Sequence, residues 1–382
     1  MPLNCGIVGL PNVGKTTIFS ALSSVAAETS NFQNYSKDPN IGIANVPDAR
    51  LYKLSDIFKP ERTIPATVEF IDIAGLVKGS SKGKNAGNQF LANIREVGLI
   101  VHVVRCFDNP DIIHVSDKID PESDIETINI ELALADLDTL AKRRERAEHS
   151  LRVKGKQEQK ASETVLAVLD KIGPGLENGQ PIRSVELSGE EKAAIYDCHF
   201  ITAKPMLYVC NVDEEGMKAV VEGKALSEST NAGTAYVEAV RKRAAAEGSD
   251  AVVICGKFEA ELIAIDDPAE KLAFLAELGL KEPGLSALIH AAYALLGLRT
   301  FFTAGEDECR AWTIHAGDLA PKAAGVIHTD FEKGFIKADV YTYDDIVKYG
   351  TEAKIKEAGK YRIEGKEYVV QDGDVMFFKF NV

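Results

Sequence analysis

The sequence predicts an α/β protein with a doubly wound, mostly parallel sheet, a helical hairpin inserted into it, and a small β-rich module after it. Three observations carry this. A strand, a Gly-rich turn and a helix open the chain, with Gly9-Leu10-Pro11-Asn12-Val13-Gly14-Lys15-Thr16 as the turn. β-branched runs then alternate with helical patterns up to about residue 127 and again from about residue 201. Between them lies a polar helical stretch, and from about residue 301 short strand patterns take over.

The opening turn matches G-x-x-x-x-G-K-[ST], the phosphate-binding P-loop. Cys5-Gly6-Ile7-Val8 reads as an apolar strand and Thr17 to Leu22 as a helix start. Such a passage aims backbone N–H groups and a helix N-terminus at one point, which suits a triphosphate. Residues 12–17 (Asn12, Val13, Gly14, Lys15, Thr16, Thr17) are the candidate phosphate cradle. Lys15 is expected to reach the β/γ-phosphates and the Thr16 hydroxyl to bind Mg²⁺. The sheet is therefore expected to be that of a P-loop NTPase.

Thr67 to Ile71 and Leu99 to Val104 are the next strand candidates. Ile130, Leu134, Leu137 and Ala141 then fall on one helical face, and Val165, Leu169 and Ile172 begin a second pattern that is expected to stop at Gly173-Pro174-Gly175. Residues 128–200 thus read as a helical, coiled-coil-like insertion within a nucleotide-binding domain of residues 1–127 and 201–300. Met206 to Cys210 and Ala251 to Cys255 resume the buried strands, and Leu285 to Leu296 is an apolar helix. Tyr361-Arg362-Ile363, Tyr368-Val369-Val370 and Val375 to Phe380 read as strands of a module spanning 301–382, with a turn at Asp372-Gly373-Asp374.

Composition bounds the function. No apolar run approaches the ~18 residues of a membrane span, and Met1 leads straight into the first strand with no room for a signal peptide. Six cysteines lack C-x-x-C spacing, so neither a zinc site nor a disulfide framework is indicated, and a reducing cytoplasm is expected. The net charge of −14 argues against indiscriminate coating of nucleic acid. Residues 142–160 nevertheless carry +5, leaving −19 elsewhere, so a basic finger projecting from an acidic body is available for a local RNA contact.

Further elements narrow the chemistry. Asp72-Ile73-Ala74-Gly75 is D-x-x-G at the end of an apolar strand, 57 positions after Lys15. Asp72 is expected to hold Mg²⁺ through water and the Gly75 N–H to meet the γ-phosphate. The Gly- and Lys-rich stretch from Lys78 to Asn88 suits a loop ordered by that phosphate. Leu76 follows Gly75, where many GTPases place a water-orienting Gln, so intrinsic hydrolysis is expected to be slow. Asn211-Val212-Asp213-Glu214 stands where GTPases carry N-K-x-D. Val212 replaces the Lys and Glu214 the guanine-reading Asp, while Asn211 remains available to an adenine edge, so ATP is favoured over GTP. Asp213 is the alternative guanine reader if the loop shifts by one residue. Gly256, after the next strand, is expected to close over the base.

These motifs together resemble the Obg-like ATPases of the YchF type, within the translation-factor-related P-loop GTPases. The resemblance rests on residues 5–17, on Asp72 to Gly79, on His102-Val103-Val104-Arg105-Cys106-Phe107, on Asn211 to Glu214, and on Asp307 to Thr313 with Gly317. It implies a G domain, an inserted helical domain and a C-terminal TGS domain of β-grasp fold. It implies slow, Mg²⁺-dependent ATP hydrolysis and binding to the ribosome, 70S and large subunit, through rRNA contacts of the helical and TGS domains. His114 matches a loop histidine proposed to assist catalysis, beside Lys15. Ser36 stands at the family's Mg²⁺-binding threonine, and its hydroxyl still suits a metal. Asn85-Ala86-Gly87 departs from the family's Gly-Leu-Gly. A GTP-specific GTPase in ribosome assembly is the alternative, and a non-enzymatic adaptor stabilised by nucleotide a further one.

Overall fold

The computed structural model describes residues 3–29, 40–73, 85–114, 118–153, 155–223 and 232–381. By contacts the chain divides into two units. One comprises Met1–Ser24, Ser36–Gly42 and Glu69–Ala292, the other Val25–Tyr35, Ile43–Val68 and Tyr293–Val382.

Among the described residues, seven strands precede residue 255: β1 (Asn4–Val8), β2 (Ile41–Asn45), β3 (Arg62–Ile64), β4 (Thr67–Asp72), β5 (Leu99–Arg105), β6 (Met206–Asn211) and β7 (Asp250–Ile254). All but β3 form one sheet in the order β2-β4-β1-β5-β6-β7, and the pairs β1–β4, β1–β5, β5–β6 and β6–β7 are parallel. Every residue of β5 and β6 is buried, as expected for parallel strands covered on both faces. Strand order reverses at β1, whose later neighbours lie on both sides of it. Ligands of open α/β sheets bind at such a switch point, beyond the carboxyl ends of the strands. The P-loop follows β1 there and enters α1 (Lys15–Thr29). The expected strands 67–71, 99–104, 206–210 and 251–255 are present, within a residue or two at their ends.

Helices α2 (Ala49–Phe58) and α3 (Asn85–Glu96) precede the hairpin, which is built from α4 (Pro121–Val153) and α5 (Lys156–Glu177). Leu140 and Ala147 of α4 pack with Val165, Val168, Leu169, Ile172 and Leu176 of α5. Two expectations are corrected here. The α4 face of Ile130 and Leu134 is not the buried one: these residues are 43% and 38% exposed, whereas Ile125, Ile128 and Leu132 are fully buried. The first turns of α4 bury one stripe, and the last turns, facing α5, bury another. Nor does α5 stop at Gly173-Pro174-Gly175. It runs through Pro174 to Glu177, because a proline in the last turn removes only one helical hydrogen bond, and the Asn178 side chain donates to the Pro174 carbonyl at 2.8 Å.

A short helix, α6 (Gly189–Ala194), completes the hairpin region; α7 (Glu214–Val221), α8 (Ala232–Ala246) and α9 (Gly256–Ile263) flank the returning strands. Within the first unit, Glu259 on α9 is buried and accepts the Gly284 N–H at 2.7 Å, at the start of the helix Gly284–Leu295. Burial raises its carboxyl to about 7, against the smaller opposing effect of the Gly284 and Leu285 N–H groups.

The second unit holds β8 (Leu298–Ala304), β9 (Glu308–His315), β10 (Phe335–Thr342), β11 (Arg362–Glu364) and β12 (Asp374–Phe380), in the order β11-β10-β12-β8-β9-β3. The β8–β9 and β10–β12 pairs are antiparallel, and β8 and β12, which lie side by side in the centre, are parallel. A helix, Ala320–Ile327, covers one face through Ala320, Ala323 and Ala324, against Phe301, Val340, Met376 and Phe378. This is the β-grasp arrangement that the family resemblance implied. The strand expected at Tyr368-Val369-Val370 is absent; Val369 makes one isolated bridge to Leu319. Its sheet position is taken by β10, whose ladder with β12 covers seven residue pairs.

The sequence did not announce that β3 joins this C-terminal sheet, pairing in parallel with β9. Arg50 of α2 fastens the same segment. Its guanidinium donates to Asp48 and, at 2.7 Å, to Asp372, and lies 5.3 Å over the Phe302 ring.

Glu259 gives a pH dependence of known sign. A carboxyl raised from 4.5 to about 7 by folding binds more protons in the native state between those values, so its contribution to stability falls as pH rises through that window. Denaturation of Glu259→Gln at pH 5 and pH 8 is expected to show a gain over the parent that grows by roughly 3 kcal/mol across the window; an equal difference at both pH values would contradict this account.

Candidate nucleotide-binding site

The turn between β1 and α1 is shaped by sterics. Gly9 sits so close to β5 that a Cβ there would meet the Val103 carbonyl at 2.7 Å. Gly14 has φ +94°, and its missing Cβ would lie 2.1 Å from the Asn211 amide nitrogen. Asn12 takes the left-handed conformation, φ 64°, which Asn tolerates better than most residues. Val13 is buried and pins the turn from below, while Thr16 and Thr17 are exposed. The Ile18 N–H donates to the Gly14 carbonyl at 3.1 Å. The N–H groups of Lys15, Thr16 and Thr17, at the start of α1, therefore lie ahead of the first helical hydrogen bond and are open to an anion.

The two charged residues expected in this site meet each other. The Lys15 ammonium is bonded directly to the Asp72 carboxylate at the end of β4, and both side chains are largely shielded from solvent. The Asp72 N–H donates to the Asn40 carbonyl at 2.8 Å, which fixes that strand end. The structure thus brings together Lys15, Thr16 and Asp72. Gly75, Leu76, Ser36 and the Gly- and Lys-rich stretch to residue 84 lie outside the described residues.

On the other side, Asn211 ends β6 with a side chain that is 5% exposed. Its Nδ2 donates to the Val13 carbonyl at 2.8 Å, and its Oδ1 accepts the Gly256 N–H at 3.0 Å. One side chain therefore ties the phosphate turn to the start of α9. Val212 is buried, and its N–H donates to the Ile254 carbonyl at 2.9 Å. Asp213 caps α7, accepting the Gly216 N–H at 2.7 Å. Glu214 is half-exposed and pairs with Lys257 at 3.1 Å.

The loop after β5 forms a third wall. Arg105 is 1% exposed, and its guanidinium donates to the carbonyls of Phe107, Asn109 and Ile112 at 3.0–3.2 Å. The Asn12 side chain donates to the next carbonyl along, that of Ile113, at 3.1 Å. His114 follows, with Nε2 hydrogen-bonded to the buried Asp124 of α4 at 3.0 Å. Burial raises the Asp124 carboxyl, and the bond to His114 opposes that. His114 is thereby anchored on α4 through Nε2. Sequence reasoning missed the role of Arg105. Its one signal is a charged residue ending a strand that is apolar but for His102, since a buried Arg must have carbonyls or carboxylates around it.

A phosphate-binding turn at a sheet's switch point, facing a D-x-x-G aspartate and an Asn tied to that turn, defines a P-loop nucleotide-binding protein of the GTPase fold. A family model of 50S ribosome-binding GTPases matches residues 4–142, and the YchF carboxy-terminal model, described as a protein of unknown function, matches residues 298–381. The chain is 52% identical to the ribosome-binding ATPase YchF of Haemophilus influenzae and 48% identical to that of Bacillus subtilis, over 382 residues and 100% of both chains in each case. The YchF GTPase of Schizosaccharomyces pombe superposes with a TM-score of 0.85 at 36% identity, covering 98% of this chain and 97% of its own. A GTP-binding protein of Pyrococcus horikoshii, at TM-score 0.59 and 18% identity over 99% and 100% of the two chains, shares the fold. The chain belongs to the YchF family.

Asn211→Ala leaves the Val13 carbonyl and the Gly256 N–H without their partner in a buried setting. Each such group costs about 1–3 kcal/mol, so urea denaturation is expected to show a loss of roughly 2–4 kcal/mol, with nucleotide affinity reduced as well. A variant as stable as the parent would remove Asn211 from this role.

Proposed function

We propose that this protein is a slow, Mg²⁺-dependent ATP hydrolase of the cytoplasm that binds the ribosome. The observation that carries the nucleotide reading is the Lys15–Asp72 pair beside the open N-terminus of α1. A triphosphate entering this turn exchanges the Asp72 carboxylate for its own oxygens on the Lys15 ammonium. Thr16 and Asp72, a hydroxyl and a carboxylate, fit a hard cation that keeps most of its ligands as water and phosphate. Ser36 would add a second hydroxyl. The metal, when bound, supplies charge neutralisation on the phosphate oxygens. Lys15 and the N–H groups of α1 hold the phosphates, Gly75 is read as a further N–H donor, and Arg105 fixes the loop that covers them. His114 enters as a positioning residue, anchored by Asp124. Leu76 offers no group to orient or deprotonate water, which supports a slow intrinsic rate.

Adenine is favoured by what the base-side carboxylates already do. Asp213 caps α7 and Glu214 pairs with Lys257, so neither stands free to accept guanine's N1–H and 2-amino group. The relatives from H. influenzae and B. subtilis are named ATPases, in keeping with this, whereas the S. pombe structure is titled a GTPase. The ribosome reading draws on those relatives' names and on the basic end of the hairpin. There Arg143 and Arg144 are paired with Asp197 and Asp170, while Lys142, Arg146, Arg152 and Lys160 are exposed cations, among the described residues, for rRNA.

Two measurements test this reading. In competition for a fluorescent nucleotide analogue, ATP is expected to outcompete GTP at least tenfold, about 1.4 kcal/mol, and Lys15→Ala is expected to abolish hydrolysis; a tenfold preference for GTP would install the GTPase alternative. In sedimentation with purified ribosomes, charge reversal of Lys142, Arg146 and Arg152 is expected to weaken binding and flatten its salt dependence, whereas undiminished pelleting would exclude the hairpin.

A further inference from the structure

The root of the helical hairpin encloses a cavity of about 550 Å³, within the range of roughly 300–1,000 Å³ that small-molecule sites occupy. Its walls are α4, the end of α5 with the turn that follows, and the last turn of α8. Ile130, Leu134 and Leu137, spaced by four and three along α4, form an apolar stripe on the first wall, and Leu176 of α5 adds a buried side chain to the second. The exposed face of α4 noted above therefore looks into a hollow. The turn is shaped to close it. Gly179 has φ +74°, and a Cβ there would lie 3.6 Å from Cγ1 of Ile130. The Gly179 and Gln180 N–H groups donate to the Leu176 and Gly175 carbonyls at 3.0 and 2.8 Å, so the backbone of this rim is satisfied from within.

On the third wall the polar groups are spent on one another. The buried Glu247 carboxylate accepts from Arg183, Arg243, Tyr208 and Asn129, so two guanidiniums are committed to one acid. What stays open to a ligand is apolar surface and negative charge. Glu126 of α4 and Glu177 at the end of α5 are exposed and line the cavity. The lining thus holds three carboxylates against the single guanidinium of Arg243, and Arg183 beyond it brings the balance to −1. The helix around it points the same way. From Pro121 to Ala141, α4 has six carboxylates and no Lys or Arg, and its basic residues begin only at Lys142. A negative potential over an apolar hollow selects a cation. An anion would have to draw an arginine away from the buried Glu247, which would leave that carboxylate under-compensated.

We infer that this cavity binds a small amphipathic cation: an aromatic or branched aliphatic body that carries one ammonium group. The body lies against Ile130, Leu134 and Leu137, and the ammonium pairs with Glu126 or Glu177. The site shares no residue with the nucleotide cradle and does not rest on the ribosome-binding reading.

The test is fluorescence titration of the full-length protein with dansylcadaverine, a dansyl ring bearing one ammonium. Dansylamide and dansylglycine carry the same ring with no charge and with a carboxylate. A saturating non-hydrolysable ATP analogue keeps the nucleotide site filled throughout. Dansylcadaverine is expected to bind saturably with blue-shifted emission, about two- to fivefold tighter than dansylamide, the size of one ion pair at an exposed rim. Dansylglycine is expected to bind weakest. Glu126→Gln with Glu177→Gln is expected to lower dansylcadaverine to the affinity of dansylamide. Leu134→Ser is expected to weaken both probes on the order of tenfold, and Ala246→Trp, which fills the cavity from the α8 wall, to block both. These four positions are exposed, so the variants are expected to keep the parent's circular dichroism and thermal unfolding. Titration of the parent that shows no saturation up to about 1 mM overturns the site. Unchanged binding in both Leu134→Ser and Ala246→Trp overturns its placement at the hairpin root. Equal affinity for the three probes, or a preference for dansylglycine, overturns the choice of a cation.

Discussion

The nucleotide site depends on one amide. Asn211 supplies an acceptor to Gly256 and a donor to Val13 from a single buried side chain, so the phosphate turn, the end of β6 and the start of α9 are held in fixed relation. The geometry around it is unforgiving. Gly14 has no side chain because the amide nitrogen occupies the place a Cβ would take. Neither hydroxyls nor carboxylates can substitute: only a primary amide both donates and accepts with the planarity to reach two backbones at once. The sheet supplies the rest by placing β1 where strand order reverses, and by burying β5 and β6 so completely that their ends have little freedom.

Charge organises the site's other half. Lys15 and Asp72 neutralise one another across the cleft, so the cradle carries no uncompensated charge before a ligand arrives. A buried ammonium or carboxylate left alone would be costly. The pair also sets a threshold: an anion must offer Lys15 at least as much as Asp72 does, which a polyphosphate does and a single weak acceptor does not. Around this, the fully buried guanidinium of Arg105 is satisfied by three carbonyls of one loop, turning a flexible connection into a wall.

Much of this was legible in the sequence, for physical reasons. The P-loop, D-x-x-G and the N-V-D-E stretch are local, and local backbone demands select residues at fixed spacing. The buried strands declared themselves as β-branched runs. The hairpin face of Ile130 and Leu134 misled because a helix with two successive partners buries two stripes, and periodicity read through one window reports an average. Gly173-Pro174-Gly175 looked like a stop because propensity cannot see the Asn178 amide that caps the Pro174 carbonyl in the last turn. Tyr368 to Val370 had strand composition but only one bridge, since tertiary pairing with β12 had already gone to β10. The roles of Asn211, Asp213 and Arg105 lay in hydrogen bonds that no spacing rule encodes, most of all the Asn211 bonds to residues distant in the chain.

The excursion of residues 43–68 into the C-terminal sheet has an effect on biogenesis. β3 finds its ladder on β9, and Arg50 finds Asp372, 322 positions downstream. At about 5–20 residues per second of vectorial synthesis, α2 and β3 emerge tens of seconds before the strands that receive them. For that interval an early piece of the polypeptide waits with an unsatisfied edge, until first β9 and then the segment around Asp372 have been made. A product that stopped short of β9 would thus lack more than its later residues: it would display an orphaned strand near its own beginning.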